Sequence, residues 1–387
     1  MEVNKYFQRM EDINMKNKRI AQVMCALILL TAATGCSMKN EDNKVGLPDK
    51  DGIITIVDED TTAVEEEPEL TIGNIENLDK LEIHDWLDAE TVVVSKENDT
   101  LDKMSLAELS DSYPKSLYLY NIKTKEFKLL NAEQDLNLGS AKLSPDKKNL
   151  IYSGYSLGDA TYYVLNLETL ESFSLSGDGI GSAGSAKWAD DSTVIGSGYT
   201  SGAYYADMEG KITTIPEFDQ KSVYIINKIN DTIYYNTADD NTLMSYNLST
   251  KETKSLGIGS VVGVYPSPEN NQLLVLQYIG SKQVLVISDL EGSNVKTIAE
   301  GVELGGASWS PDQQLIAYYS KSEGNTNSVG ALMVYDILTG KATQVAVDVE
   351  YVTTCWSVSG KELAFSHWDG TKYNSSIVTL DYSINTK

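Results

Sequence analysis

From residue 80 onward, apolar residues fall into short runs separated by polar, turn-forming clusters. Leu150-Ile151-Tyr152, Leu273-Leu274-Val275-Leu276, Val284-Leu285-Val286-Ile287, Ala331-Leu332-Met333-Val334-Tyr335 and Leu363-Ala364-Phe365 are such runs. Their length and their bounding turn residues predict β-strands, and the absence of strict polar alternation predicts strands covered on both faces.

One short corner recurs seven times between such runs. The copies are Asn121-Ile122-Lys123-Thr124, Asn166-Leu167-Glu168-Thr169, Asp207-Met208-Glu209-Gly210, Asn247-Leu248-Ser249-Thr250, Asp289-Leu290-Glu291-Gly292, Asp336-Ile337-Leu338-Thr339 and Asp381-Tyr382-Ser383-Ile384, spaced 45, 41, 40, 42, 47 and 45 residues apart. An Asn or Asp side chain bonds the backbone two residues ahead, so each copy predicts a turn between antiparallel strands. A second corner precedes each of these, as in Trp86-Leu87-Asp88, Leu143-Ser144-Pro145-Asp146, Trp188-Ala189-Asp190-Asp191, Pro266-Ser267-Pro268-Glu269, Trp309-Ser310-Pro311-Asp312 and Trp356-Ser357-Val358-Ser359. One repeat is therefore four strands, A to D: a Ser-Pro-Asp-type A–B turn, a variable B–C loop, an Asx C–D turn, then D.

Four strands per repeat with no helix between them is the pattern of a propeller blade. The expected fold is all-β: a seven-bladed β-propeller of four-stranded antiparallel blades, with six or eight blades as alternatives. Trp309-Ser310-Pro311-Asp312 before a strand resembles the WD40-like repeat of the TolB-type β-propellers. The resemblance covers residues 80 to 387 and is clearest in the second, fifth and sixth repeats; TolB has six blades, so it concerns the blade rather than the whole ring. The last repeat ends after its third strand. A strand from the N-terminal side, either Ile53 to Val57 or Glu69 to Ile72, is expected to complete it and close the ring, which also removes two sheet edges.

The first segment reads as an address. Met15-Lys16-Asn17-Lys18-Arg19 leads into a mainly apolar run, Ile20 to Ala33, and then Thr34-Gly35-Cys36. That is the layout of a secretory signal, and the run falls short of the roughly 20 residues of a permanent membrane span. Ala33-Thr34-Gly35-Cys36 resembles the bacterial lipobox, which implies cleavage before Cys36 and lipidation of its thiol. The domain reading is a lipoprotein signal peptide over 1–35, with Met15 an alternative start, an acidic tether over 36–70 and the propeller over 71–387. Residues 37–70 hold 11 acids against 3 lysines, a self-repelling composition. The anchor places the protein outside the cytoplasm, on the outer leaflet in a single-membrane bacterium.

Charge narrows the partners. Acidic residues outnumber basic ones 56 to 31, and the only arginines, Arg9 and Arg19, fall in the leader. A basic stripe of the kind that binds nucleic acid is missing, so no nucleic acid partner is expected. Past Cys36 only Cys355 remains, next to Trp356 in an apolar stretch, and it reads as a core residue.

Catalytic signatures fail on context. Gly154-Tyr155-Ser156-Leu157-Gly158 fits a nucleophile elbow, but a strand follows where that motif needs a helix. Gly179, Gly181 and Gly184 fit G-x-G-x-x-G, yet a strand leading to Trp188 follows, so they mark a D–A loop. His84 and His367 fall in the first and last blades, side by side after closure, but two histidines without placed carboxylates make a poor metal centre. No catalytic residue, metal ligand or cofactor is assigned.

Tyrosine is abundant, 23 copies against 5 phenylalanines. Tyr155, Tyr199, Tyr278, Tyr319, His367 and Trp368 fall at B-strand ends, where loops converge on one face, and are the candidate ligand-binding residues. The long segments Glu97 to Lys115, with Ser105-Leu106-Ala107-Glu108 as a capping box, and Ser320 to Gly330 add recognition candidates. The expected function is non-catalytic: a membrane-anchored binding or scaffold module for a protein, peptide or glycan. An extracellular glycan- or lactone-processing enzyme using channel carboxylates, or a solute receptor, is the alternative.

Overall fold

The computed structural model describes residues 69–200, 202–322 and 329–383. Seven four-stranded antiparallel sheets follow one another along the chain, over 82–131, 137–174, 187–214, 223–255, 261–301, 303–347 and 350–383. In six of them the strand order is sequential. The seventh takes its outermost strand from the other end of the described chain: β1 (Glu69–Leu78) pairs antiparallel with Tyr373–Ser383, Thr71 opposite Asp381 and Leu78 opposite Ser375. The protein is a seven-bladed propeller closed by an N-terminal strand. Of the two expected closers, the one containing Glu69 to Ile72 does so; Ile53 to Val57, Cys36, the leader and most of the tether lie outside the described residues.

Buried apolar side chains form seven clusters, one at each junction between neighbouring blades. Each sheet is covered on both faces, which is why its strands lack polar alternation. The described residues contain no α-helix, only the 3-10 turns Ala107–Leu109 and Pro216–Phe218.

Five of the seven expected corners are Asx turns. Asn121 Oδ1 accepts the amides of Lys123 and Thr124 at 3.0 and 2.8 Å, and Asn166, Asn247 and Asp336 repeat the arrangement; Asp289 accepts from Glu291 and Ser293, and Asp207 closes its corner by accepting from Lys211 alone. The seventh, Asp381, is no corner. Its backbone continues as strand because β1 lies alongside to pair with it. In the Ser-Pro-Asp corners the buried hydroxyl matters as much as the proline: Ser310 Oγ accepts the Leu315 amide at 2.8 Å and donates to Asp312 at 2.6 Å, and Ser144 does the same with Asn149 and Asp146.

The recurrent tryptophan has a single job. Trp188 Nε1 donates to Lys142 O at 2.9 Å, Trp309 to Tyr265 O at 3.0 Å, Trp356 to Ser308 O at 3.3 Å and Trp86 to Cys355 O at 3.4 Å. Each bond runs from an innermost strand to the innermost strand of the preceding blade, so the indole both fills the junction and ties it. The last of them joins blade 1 to blade 7, across the closure.

Candidate functional site

The B–C and D–A connections share one face of the ring, and the B–C connection of blade 1, residues 98–114, forms a wall there. Its ends meet where Asn98 N–H donates to Pro114 O at 2.9 Å, and Met104 N–H donates to Ser112 O at 3.0 Å with the Met104 side chain buried. Buried Asn98 donates to Ser116 Oγ and accepts from Thr100, fixing the take-off. Gln134 donates to the carbonyls of Asp102 and Lys103 from the next link. The segment is thus a packed loop rather than a trailing one. Its expected capping box does not form. Leu106 is the N-cap of the 3-10 turn and makes no side-chain cap bond, while the Ser105 amide donates to Asp135.

Below this wall lies a cavity of about 720 Å³ between blades 7 and 1, reaching to blade 2. Blade 7 lines it with Trp368, Lys372 and Tyr373, blade 1 with Glu82, Lys96, Tyr113 and Lys115, and blade 2 with Tyr155. Asp79, Lys80 and Leu81, the passage from β1 to β2 (Glu82–Trp86), complete it.

The aromatic part is built on a hydrogen-bonded hairpin. Trp368 and Tyr373 pack edge to face, ring centroids 5.2 Å apart. Asp369 shapes the hairpin between them: hydrogen bonds from the Thr371 hydroxyl and from the Lys372 and Thr371 amides hold its carboxyl well below the usual carboxylate range. Burial, and then the nearby Glu82, raise the pKa of the Tyr373 phenol; burial chiefly does the same for Tyr155.

The charged part is paired. Lys115 Nζ stands 3.3 Å from Glu82 Oε2 and 4.9 Å from the Tyr373 ring centroid, and Lys372 Nζ stands 2.6 Å from Asp79 Oδ1. Lys96 Nζ instead lies 4.7 Å from the centroid of Phe127 and 5.4 Å from that of Tyr118. Behind Glu82, Ser95 Oγ and His84 Nε2 are 2.9 Å apart. Burial lowers the His84 pKa against the opposing pull of Glu82, which favours the neutral ring. Flat aromatic faces flanked by ammonium and carboxylate groups suit a sugar ring or a peptide segment, gripping a planar or C–H-rich face and its polar edges together.

Of the candidate residues, Tyr155 and Trp368 line this cavity. Tyr199 and Tyr278 lie on the rims of blades 3 and 5 and do not line it; their hydroxyls bond Asp159 at 2.5 Å and Gln283 at 2.8 Å. His367 adjoins Trp368, with Nδ1 buried and unpartnered. Tyr319 is not at the surface. It is 3% exposed, its ring turned into the space over Gly330, where an added Cβ would lie 2.5 Å from the ring. Glu82, Lys115 and Tyr373 were not anticipated; the long segment Glu97 to Lys115, which walls them in, was the available signal. Cys355 is buried in the core, and burial pushes its thiol up to about 12. Gly154 to Gly158 lies at a strand-to-strand connection; Gly179 sits in the turn of a two-stranded ribbon within a D–A link, Gly181 is paired in it and Gly184 follows it. Among the described residues no group of three or more His, Cys, Asp or Glu side chains could hold a metal ion.

Solved structures supply the comparison. The chain is similar to the oligogalacturonate lyase of Vibrio parahaemolyticus, at 12% identity and a TM-score of 0.60 over 81% of this chain and 98% of that one. The likeness is one of fold. It is also similar to the Cps50 (Swd1) β-propeller domain of Myceliophteria thermophila, at 11% identity and 0.53 over 80% and 99%, and TolB from Acinetobacter baumannii aligns at 12% identity and 0.47 over 75% and 64%. No family model matches the chain, and no curated protein matches its sequence.

Proposed function

We propose that the protein is a lipid-anchored, extracytoplasmic binding module that holds a peptide or glycan segment in the cavity between blades 7 and 1. The cavity carries the reading: the packed Trp368–Tyr373 pair beside the Lys115–Glu82 pair offers shape and polar contacts of both signs. The lipobox-like Ala33 to Cys36 supports the anchor.

A photo-crosslinking residue at Tyr155, compared with one at Leu338, which is 83% exposed on the Asx-turn face, tests the site on intact cells. Reproducible crosslinking to one partner from position 155 alone is expected; equal labelling from both positions refutes the site. Cys36→Ser should abolish metabolic lipid labelling and release the protein from membranes, and unchanged membrane retention refutes the anchor. A second reading, an enzyme acting on an acidic glycan, draws on the fold shared with an oligogalacturonate lyase. Turnover of added oligogalacturonate, lost in Lys115→Met, would put that reading first.

A further inference from the structure

Two lysines hold equivalent places on the innermost strands of neighbouring blades. Lys142, on Asn137–Leu143, is registered opposite Ile151; Lys187, on Lys187–Trp188, is registered opposite Ile195. Each precedes the residue that packs back on the preceding blade. Their partners differ. Lys142 Nζ pairs with Asp85 Oδ2 at 3.3 Å, and Asp85 is further held by the amides of Trp86 and Leu143. Burial opposes the Lys142 ammonium, yet Asp85 leaves its pKa above the ordinary value.

Lys187 Nζ meets Asn227 Oδ1 at 2.9 Å, and among the described residues no carboxylate lies within ion-pair distance of it. Asn227 is 5% exposed, and its Nδ2 is buried with no acceptor. Turning the amide over would set its NH₂ against the ammonium, so the lysine fixes the amide in a costly orientation. Lys187 is exposed as a residue, yet protein packed around its amine pushes the pKa down to about 8 by desolvation. An ammonium with three donors has here one neutral acceptor, where its counterpart has a carboxylate.

We propose that Lys187 and Asn227 form a site for a small oxyanion, a carboxylate or inorganic phosphate, which supplies the counter-charge that Asn227 does not. This site is separate from the cavity between blades 7 and 1 and stands or falls independently of it. Lys142 reaches back to blade 1 and Lys187 forward to blade 4, so an anion there supplies from the other side the counter-charge that Asp85 gives Lys142, and keeps the amine protonated. An aspartate in place of Asn227 would fill the same role from within the chain.

The test is the melting temperature of the full chain at neutral pH and constant ionic strength, titrated with inorganic phosphate and, in parallel, with acetate. Wild type should rise and saturate with at least one of them, the one that saturates lower naming the preferred oxyanion. Both Lys187→Met and Asn227→Asp should lose that rise, and Asn227→Asp should start from a higher melting temperature. No rise in wild type with either anion overturns the site. So does the same rise in either variant, which is what general salt exclusion from the surface produces.

Discussion

At the closure between blades 7 and 1, two serines form a buried clasp. Ser366 and Ser375 are 0% and 1% exposed, their oxygens 2.7 Å apart. The Ile83 amide donates to both, at 2.9 and 3.0 Å; Ser366 Oγ donates back to Ile83 O at 3.1 Å and Ser375 Oγ to Leu81 O at 2.8 Å. A bulge between Ile83 and Asp85 accompanies this arrangement in β2. Ser375→Ala leaves the Leu81 carbonyl without this donor while Ser366 still takes the amide, a loss of about 1–2 kcal/mol, and Ser366→Ala is its mirror. The double substitution takes these partners from one amide and two carbonyls in a dry junction, at about 1–3 kcal/mol each, so roughly 3–9 kcal/mol in all. Because the two serines share the amide, the double variant should lose more than the singles summed. Guanidinium unfolding of wild type, both singles and the double closes the cycle. A double loss no greater than the sum of the singles, or below about 1 kcal/mol, refutes the clasp.

The Ser-Pro-Asp corner makes a similar claim locally: Ser310→Ala deprives the buried Leu315 amide of its acceptor and should cost about 1–3 kcal/mol in denaturant unfolding. Trp309→Phe removes the donor to Tyr265 O and part of a buried ring, and should also cost about 1–3 kcal/mol, more than the same change at half-exposed Trp188. Because burial lowers the His84 pKa, the unfolded chain binds the extra proton first as pH falls through 6.5. Stability contributed by the neutral ring is present above that pH and lost below it, so the melting temperature of His84→Gln should fall less steeply than wild type between neutral and mildly acid pH. Parallel curves refute the burial of His84.

Much of the ring was legible because its corners are local chemistry. Asn121, Asn166 and Asn247 bond amides two and three residues ahead, and such turns need nothing from the rest of the fold. Tryptophan marked the repeats, but its role did not show, since Trp86 donates to a carbonyl 269 residues away. Bulges in the innermost strands were equally hidden. Tyr351, left-handed at φ 50° and 66% exposed, owes its position to a register shift set jointly by two strands. For the candidate site, strand-end placement brought Tyr155 and Trp368 to the cavity but misjudged where one strand ends. Tyr319 stands fifth in the seven-residue strand Leu315–Lys321, where Tyr155 and Trp368 stand last in theirs, so it falls short of the rim and its ring packs inward over Gly330.

The position of the cavity follows from the lengths of the links around it. Residues 79–81 join blade 7 to blade 1 in three steps, whereas residues 175–186 join blade 2 to blade 3 in twelve and fold a ribbon there. Links of one and two residues, 302 and 348–349, join blades 5 to 6 and 6 to 7, so a short link alone does not make the cleft; the long segment 98–114, which walls this junction, supplies the depth. The same junction holds the closure, where β1 is kept in blade 7 by strand pairing and is tied to blade 1 by the ion pair of Glu76 with Lys125. Asp79 and Lys372, on the two sides of that pairing, both line the cavity. A ligand seated there touches parts that are neighbours only while the ring is closed, so it binds the closed form alone. At a hundredfold excess over its Kd it would add about 2.7 kcal/mol to closure, on the scale of the serine clasp. Recognition and ring closure are then two readings of one equilibrium.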